Sequence, residues 1–322
     1  MCAFVRPAES IEDVLVGDNG WAGGSAFGCT MTLRNKTWPY LQLMRPANLV
    51  TAAADILAGY AAAGLPGVRS LVLLVVASIG LYGGGVVLND VFDAKLDAAE
   101  RPERPIPSGR ASIRNASLLG VLLLTGGITT ASFVSWFSGA IAAAVAALAV
   151  TYDAWSKHHS LIGPMNMAAC RGLNVLLGVS SAPFLISHRW YLGLLSCVYV
   201  AAITLLSAGE VHGGRRKISL LALQLVGLVI AGLLVLGNSP AYAVLAALPF
   251  IALFSWRVLP PFTRAYFEPQ PATIRRAVLV GVLSLIVLDS AVGAGYAGIL
   301  YGAGILSLSL VAGGMARLFA VT

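Results

Sequence analysis

The sequence predicts an all-α, polytopic membrane helix bundle of nine to ten transmembrane helices, with its chemistry on one face. Three observations carry that expectation. Apolar residues make up 58 % of the 322 and charged residues only 11 %, against about 45–50 % and about 25 % in soluble domains. The apolar residues fall in long unbroken runs, whereas a membrane barrel needs short alternating segments. The basic residues sort to one side of the map that these runs draw.

A span needs about 20 residues at about 1.5 Å each. In chain order the runs are 47–65, 70–88, 115–134, 136–152, 165–186, 190–208, 218–237, 241–258, 274–292 and 296–317. Asp289 with Gly293 and Gly295 marks a break in the last long stretch, so nine and ten helices both fit. With the N-terminus in the cytoplasm, 18 of the 21 basic residues fall in inside segments. Arg69 and Arg189 lie outside and Arg171 sits within a span, a split that follows the positive-inside rule. The net charge of +7 therefore reads as topology and phosphate binding, not as a nucleic-acid surface. Residues 1–37 read as a flexible N-terminal tail and 38–322 as a single transmembrane domain. The run beginning at Met31 looks like a natural start, which would make 1–30 an upstream extension; it lacks the apolar core of a signal peptide. The four cysteines have no metal-binding spacing, and Cys170 and Cys197 read as small apolar fillers.

The second predicted helix ends in Asn89-Asp90-Val-Phe-Asp93-Ala-Lys95-Leu-Asp97. Spacings of three and four place the three aspartates on one helical face, where like charges repel unless a cation lies between them. Their oxygens suit Mg²⁺, which takes its remaining ligands from water and substrate phosphate. Arg101, Arg104 and Arg110 follow, and guanidinium groups grip phosphate in a bidentate fork. Carboxylates for Mg²⁺ beside arginines for phosphate describe a diphosphate site.

Asn-Asp-x-x-Asp-x-x-x-Asp followed by Arg-Pro-x-Pro-Ser-Gly-Arg resembles the first aspartate-rich motif of the UbiA superfamily of intramembrane prenyltransferases. Arg45-Pro46-Ala-Asn48 with Asp55 resembles that family's first helix. Tyr152-Asp-Ala-Trp-Ser-Lys157, with Arg171 and Asn174 beyond, is similar to a later family segment. The resemblance covers roughly residues 38–320. It implies Mg²⁺-dependent transfer of a polyprenyl group from a polyprenyl diphosphate to a small acceptor, with release of diphosphate. On the family pattern Asp90, Asp93, Asp97 and Glu210 hold Mg²⁺, and Asp90, Asp93, Lys157 and Tyr152 are the catalytic set. Asn48, Asp55, Asn89, Arg101, Arg104, Arg171, Asn174, His212 and Arg215 are the substrate-binding set. Lys157 matches a family lysine that contacts diphosphate, and Tyr152 and Phe92 are the aromatic candidates for shielding an allylic cation.

Two alternatives stay open for the intramembrane polar residues. Asn48, Thr51 and Asp55 share a face that either lines a cavity or makes a helix–helix hydrogen bond. Arg171 needs a partner in the span, and Asp55, Asp153 or the diphosphate could supply it. Asp289 reads as packing. The second motif departs from the family: Ser207-Ala-Gly209-Glu210-Val-His212-Gly213-Gly214-Arg215 keeps one carboxylate. That stretch resembles the EboC-like subgroup, which implies a polyol or cyclitol acceptor rather than an aromatic one. The expected home is a bacterial plasma membrane, with the N-terminus and catalytic loops cytoplasmic. A membrane transporter or a catalytically weak prenyl-lipid-binding protein is the alternative; the transporter does not explain a metal-type triad beside arginines, and the altered second motif leaves the weak binding protein open.

Overall fold

Arg45 leads into the first helix with φ 49°, a left-handed turn, and Pro46 occupies the first helical position. Proline suits that place because its φ is preset and its missing N–H would have no partner there. The computed structural model describes residues 37–159, 162–210 and 213–319. The chain divides into two units, Met1–Trp38 and Pro39–Thr322; the second is described here. The expected tail over 1–37 and His212 lie outside the described residues, apart from residue 37.

Among the described residues there is no strand; residues 37–43 are helical, and twelve α-helices follow them. They are α1 (Pro46–Ala62), α2 (Val68–Phe92), α3 (Ala94–Glu100), α4 (Ile113–Ser132), α5 (Trp136–Ala154) and α6 (Ile162–Val179). The remainder are α7 (Ile186–Ser207), α8 (Arg216–Val235), α9 (Val244–Phe267), α10 (Pro271–Leu283), α11 (Leu285–Ala297) and α12 (Ile299–Leu318). Each of the ten predicted runs is helical. Eight segments are long and apolar enough to cross a membrane, with α10 and α11 counted together as Pro271–Ala297. Of the twelve, the helices outside that set are short α3, α1 with 17 residues, and α6 with Asn166, Arg171 and Asn174 in its length.

Hydroxyl caps start two of the helices. Ser112 accepts from the Asn115 N–H at α4, and Ser135 accepts from the Ser138 N–H at α5, each satisfying a donor with no helical partner. Small residues then let helices approach closely, as membrane bundles require. A Cβ on Gly84 would stand 2.9 Å from the Gly120 carbonyl oxygen, which fixes α2 against α4. A Cβ on Gly59 would overlap the Val175 carbonyl oxygen, and one on Gly178 would stand 2.5 Å from that of Ile56. Backbone there lies against backbone, so α1 and α6 pack at contact distance.

The break near the C-terminus differs from the expected one. The helix interrupts at Ser284 and again at Gly298, where φ is 90°. Gly293 and Gly295 stay inside α11 because they make room: a Cβ on Gly295 would overlap the Tyr242 ring, and one on Gly293 would stand 2.5 Å from Ile305. Every residue from Leu285 to Gly295 is buried, as expected of a helix apolar on all sides. Helix α1 packs on α2, α6, α11 and α12 and so joins the two larger apolar clusters, one running from α6 through α11, the other built on α2, α4 and α5.

Candidate active site

The polar residues of α1, α2, α5 and α6 converge on one cavity of about 330 Å³. Arg45, Asn89, Tyr152 and Asp153 line one part of it, and Thr51, Ser78, Arg171 and Asn174 another. Leu81, Tyr82, Gly85, Val145, Ala149 and Met167 contribute apolar and aromatic wall. Asn89 at the end of α2 and Thr204 near the end of α7 both line it, so the loops after α2 and α7 leave the bundle at the same end. Those are the loops with the two charged motifs.

The first motif is folded by ion pairs. Helical hydrogen bonds continue across the α2–α3 junction, from the Asp93 N–H to the Asn89 carbonyl and from the Asp97 N–H to the Asp93 carbonyl. The side chains nevertheless go to separate cations. Arg45 donates to Asp90 Oδ1 at 2.8 Å, and Arg104 stands 3.5 Å from the same oxygen. Arg104 donates to Asp97 Oδ2 at 2.8 Å, and Lys157 pairs with Asp93. Asp90, Asp97 and Arg104 are buried, while Arg101 is exposed. Arg45 was absent from the expected site set, although its place before Pro46 at the head of a polar helix face was the available signal.

Among the described residues no three of His, Cys, Asp and Glu stand close enough to hold a metal ion. The donor chemistry still fits Mg²⁺: Asp90, Asp93 and Asp97 supply only hard oxygens, and each is held now by a cation that a bound phosphate could draw away. Glu210 lies in the loop after α7, half-buried, with Arg275 in electrostatic reach. Burial raises its carboxyl above the ordinary glutamate value, and Arg275 opposes the rise. Arg215 is exposed at the start of α8.

Beneath the mouth, Arg171 resolves its partner. Its Nε stands 2.7 Å from Asp55 Oδ2, and its other nitrogens donate to Thr51 Oγ1 at 3.1 Å and to the Thr51 carbonyl at 2.8 Å. Asn174 donates to Asp55 Oδ2 at 2.8 Å and accepts from Ser78 at 2.7 Å. Asp289, read from sequence as packing, lies beside Asp55. The two readings divide among the residues of that α1 face: Thr51 lines the cavity, whereas Asp55 is buried in interhelical bonds, and Arg171 and Asn174 line the cavity while tying α1 to α6. The Asn48 side chain and Phe92 are not among the lining residues, and Phe92 is 50 % exposed. Tyr82 and Tyr152 are the aromatic side chains that do line the cavity. Asp153, weighed from sequence only as a partner for Arg171, instead accepts from Asn89 Nδ2 at 2.8 Å.

Residues 48–266 match the model of the UbiA prenyltransferase family. The chain belongs to that family. Among curated UbiA relatives, the digeranylgeranylglyceryl phosphate synthase of Methanothrix thermoacetophila is 33 % identical over 214 residues, covering 61 % of this chain and 80 % of the relative. That of Natronomonas pharaonis is 29 % identical over 223 residues, covering 67 % and 79 %. Both come from archaea. Solved UbiA folds agree in architecture. A digeranylgeranylglyceryl phosphate synthase structure superposes with TM-score 0.65 at 21 % identity, over 82 % of this chain and 99 % of the other. A UbiA homologue from Archaeoglobus fulgidus, bound to DMAPP and Mg²⁺, superposes with TM-score 0.54 at 14 % identity, over 83 % and 99 %. The protein is thus an integral membrane prenyltransferase of the UbiA fold.

Proposed function

We propose that this prenyltransferase moves a polyprenyl group from a polyprenyl diphosphate to a hydroxyl of a small polyol-type acceptor, releasing diphosphate with Mg²⁺ present. The observation that supports it best is the junction of motif and cavity: Asp90, Asp93 and Asp97, each on a cation, do not line the cavity themselves but adjoin it through Arg45, which pairs with Asp90, and through Asn89, while the other walls include apolar and aromatic side chains. A diphosphate headgroup suits the first part and an isoprenoid tail the second. The product names of the relatives, parsed chemically, describe an alcohol acceptor built on glyceryl phosphate. Such an acceptor shares its nucleophile with the polyol expected from the second motif.

On this reading Asp90, Asp93, Asp97 and Glu210 would hold Mg²⁺, which supplies charge to stabilise the leaving diphosphate. Arg45, Arg104 and Lys157 turn from their carboxylates toward phosphate oxygens when the donor arrives. Arg101 and Arg215, exposed at the same end, add charge. Tyr152 and Tyr82 present ring faces to the allylic carbon and keep water from it. Thr51, Arg171 and Asn174 hold the inner wall in place. The charge split of the loops supports a cytoplasmic position for this end.

The test uses the full chain in mild detergent with Mg²⁺ and geranyl, farnesyl or geranylgeranyl diphosphate. Glyceryl phosphate monoethers and cyclitols are offered as acceptors, and diphosphate release and new prenylated masses are followed. Asp90→Ala should abolish Mg²⁺-dependent release while the protein stays monodisperse. Release undiminished in that variant would remove Asp90 from the site.

A further inference from the structure

We infer that Asp153 is the base that takes the acceptor's hydroxyl proton, an assignment resting on the transfer reaction proposed above. Asp153 sits in the last turn of α5, is 4 % exposed and lines the cavity. Its Oδ1 accepts from the Asn89 amide at 2.8 Å, and its Oδ2 is buried with no hydrogen-bond partner. An unpartnered buried carboxylate oxygen is costly; Asp55 Oδ1 and Asp289 Oδ2 are also unpartnered, but of the three residues Asp153 alone lines the cavity, where a bound molecule can complete it. The three aspartates of the first motif are differently placed. Asp90, Asp93 and Asp97 are each in an ion pair, whereas Asp153 makes none among the described residues. The groups around it are Asn89, Tyr152, Lys157, Cys170, Asp90 and Asp93. Lys157 attracts it from a distance while bonded to Asp93.

Alcohol prenylation needs such a group. The donor C1–O bond breaks, and its electron pair leaves with the diphosphate. The acceptor oxygen forms a new bond to C1, and its O–H bond must give up a proton. Asp153 Oδ2 is placed to receive that proton inside the cavity and to return it to water through the mouth. The Asn89 amide fixes the other oxygen, so the free one holds its direction. Asn89 is thereby a positioning residue, acting through Asp153.

The role separates two rates in one experiment. The full-length protein in detergent with Mg²⁺ and geranylgeranyl diphosphate is assayed for diphosphate release without acceptor, and for ether formation with geranylgeranylglyceryl phosphate. For Asp153→Asn, release should stay within about threefold of wild type while ether formation falls by about 10²–10⁴, the usual reach of general-base catalysis. An unchanged thermal midpoint in detergent controls for folding, and Asp153→Ser provides a second variant if the amide fails that control. Ether formation at the wild-type rate in a folded variant would overturn the assignment. So would equal loss of both activities with a raised Mg²⁺ requirement, which would make Asp153 a metal ligand. Wild-type protein that releases no diphosphate from any donor would overturn the transfer reading itself, and this assignment with it.

Discussion

Arg104, proposed above to meet phosphate, also holds the loop that carries it. It bonds Asp97 at 2.8 Å, lies 3.5 Å from Asp90, and is 8 % exposed. Removing one member of a buried pair leaves the other charge uncompensated, at a cost of about 3–5 kcal/mol. Arg104→Ala should therefore lower unfolding stability in detergent by roughly that amount, measured by thermal or denaturant melting. Arg104→Lys should recover part of the loss, since a lysine keeps the charge without the fork. A melt of Arg104→Ala superimposable on wild type would mean that the loop is held by something other than this pair. The arginine was readable from sequence as a phosphate ligand, but its inward bond to Asp97 was not, because spacing alone does not say which way a loop side chain turns. The same limit hid Asp153, whose bond to Asn89 joins residues 64 apart.

At the scale of elements, the helices were legible and their interruptions were not. Runs of apolar residues located all ten segments because hydrocarbon thickness dictates their length. The break assigned to Asp289, Gly293 and Gly295 fell elsewhere, since each of those residues answers to a neighbour in space. Asp289 joins Asp55, and the two glycines admit Ile305 and the Tyr242 ring. A glycine in sequence signals a turn or a close approach equally well. The α1–α6 contact is of the second kind. Gly178→Ala places a methyl group 2.5 Å from the Ile56 carbonyl oxygen, which must push the helices apart and draw Arg171 away from Asp55. Loss of monodisperse protein or a lowered melting point by size-exclusion and thermal assays is expected. Gly126→Ala, whose Cβ meets nothing within 4 Å, should be neutral or slightly stabilising, because alanine lowers the conformational entropy of the unfolded chain.

For the whole molecule, the arrangement sets a central space between α1, α2, α5, α6 and α7, and its size governs what enters. Gly85 lines that space, and its Cβ would stand 3.2 Å from the Ala149 methyl group. Gly85→Leu should fill part of the cavity without touching the ion pairs. The ratio of kcat/KM for geranylgeranyl over geranyl diphosphate should then fall by about tenfold or more; an unchanged ratio would place the tail along another wall. The bond between Asn174 and Asp55 has a further consequence, which concerns how the protein is made. Its partners are 119 residues apart, so at about 5–20 residues per second α1 is synthesised roughly 6–24 s before α6 can reach it. In that interval a short helix carrying Asp55 has no guanidinium or amide to receive it in the hydrocarbon. Early α1 should therefore wait at the translocon or the lipid–water boundary and enter the bilayer only as a pair with α6, which makes the emergence of residues 162–179 the committed moment of assembly.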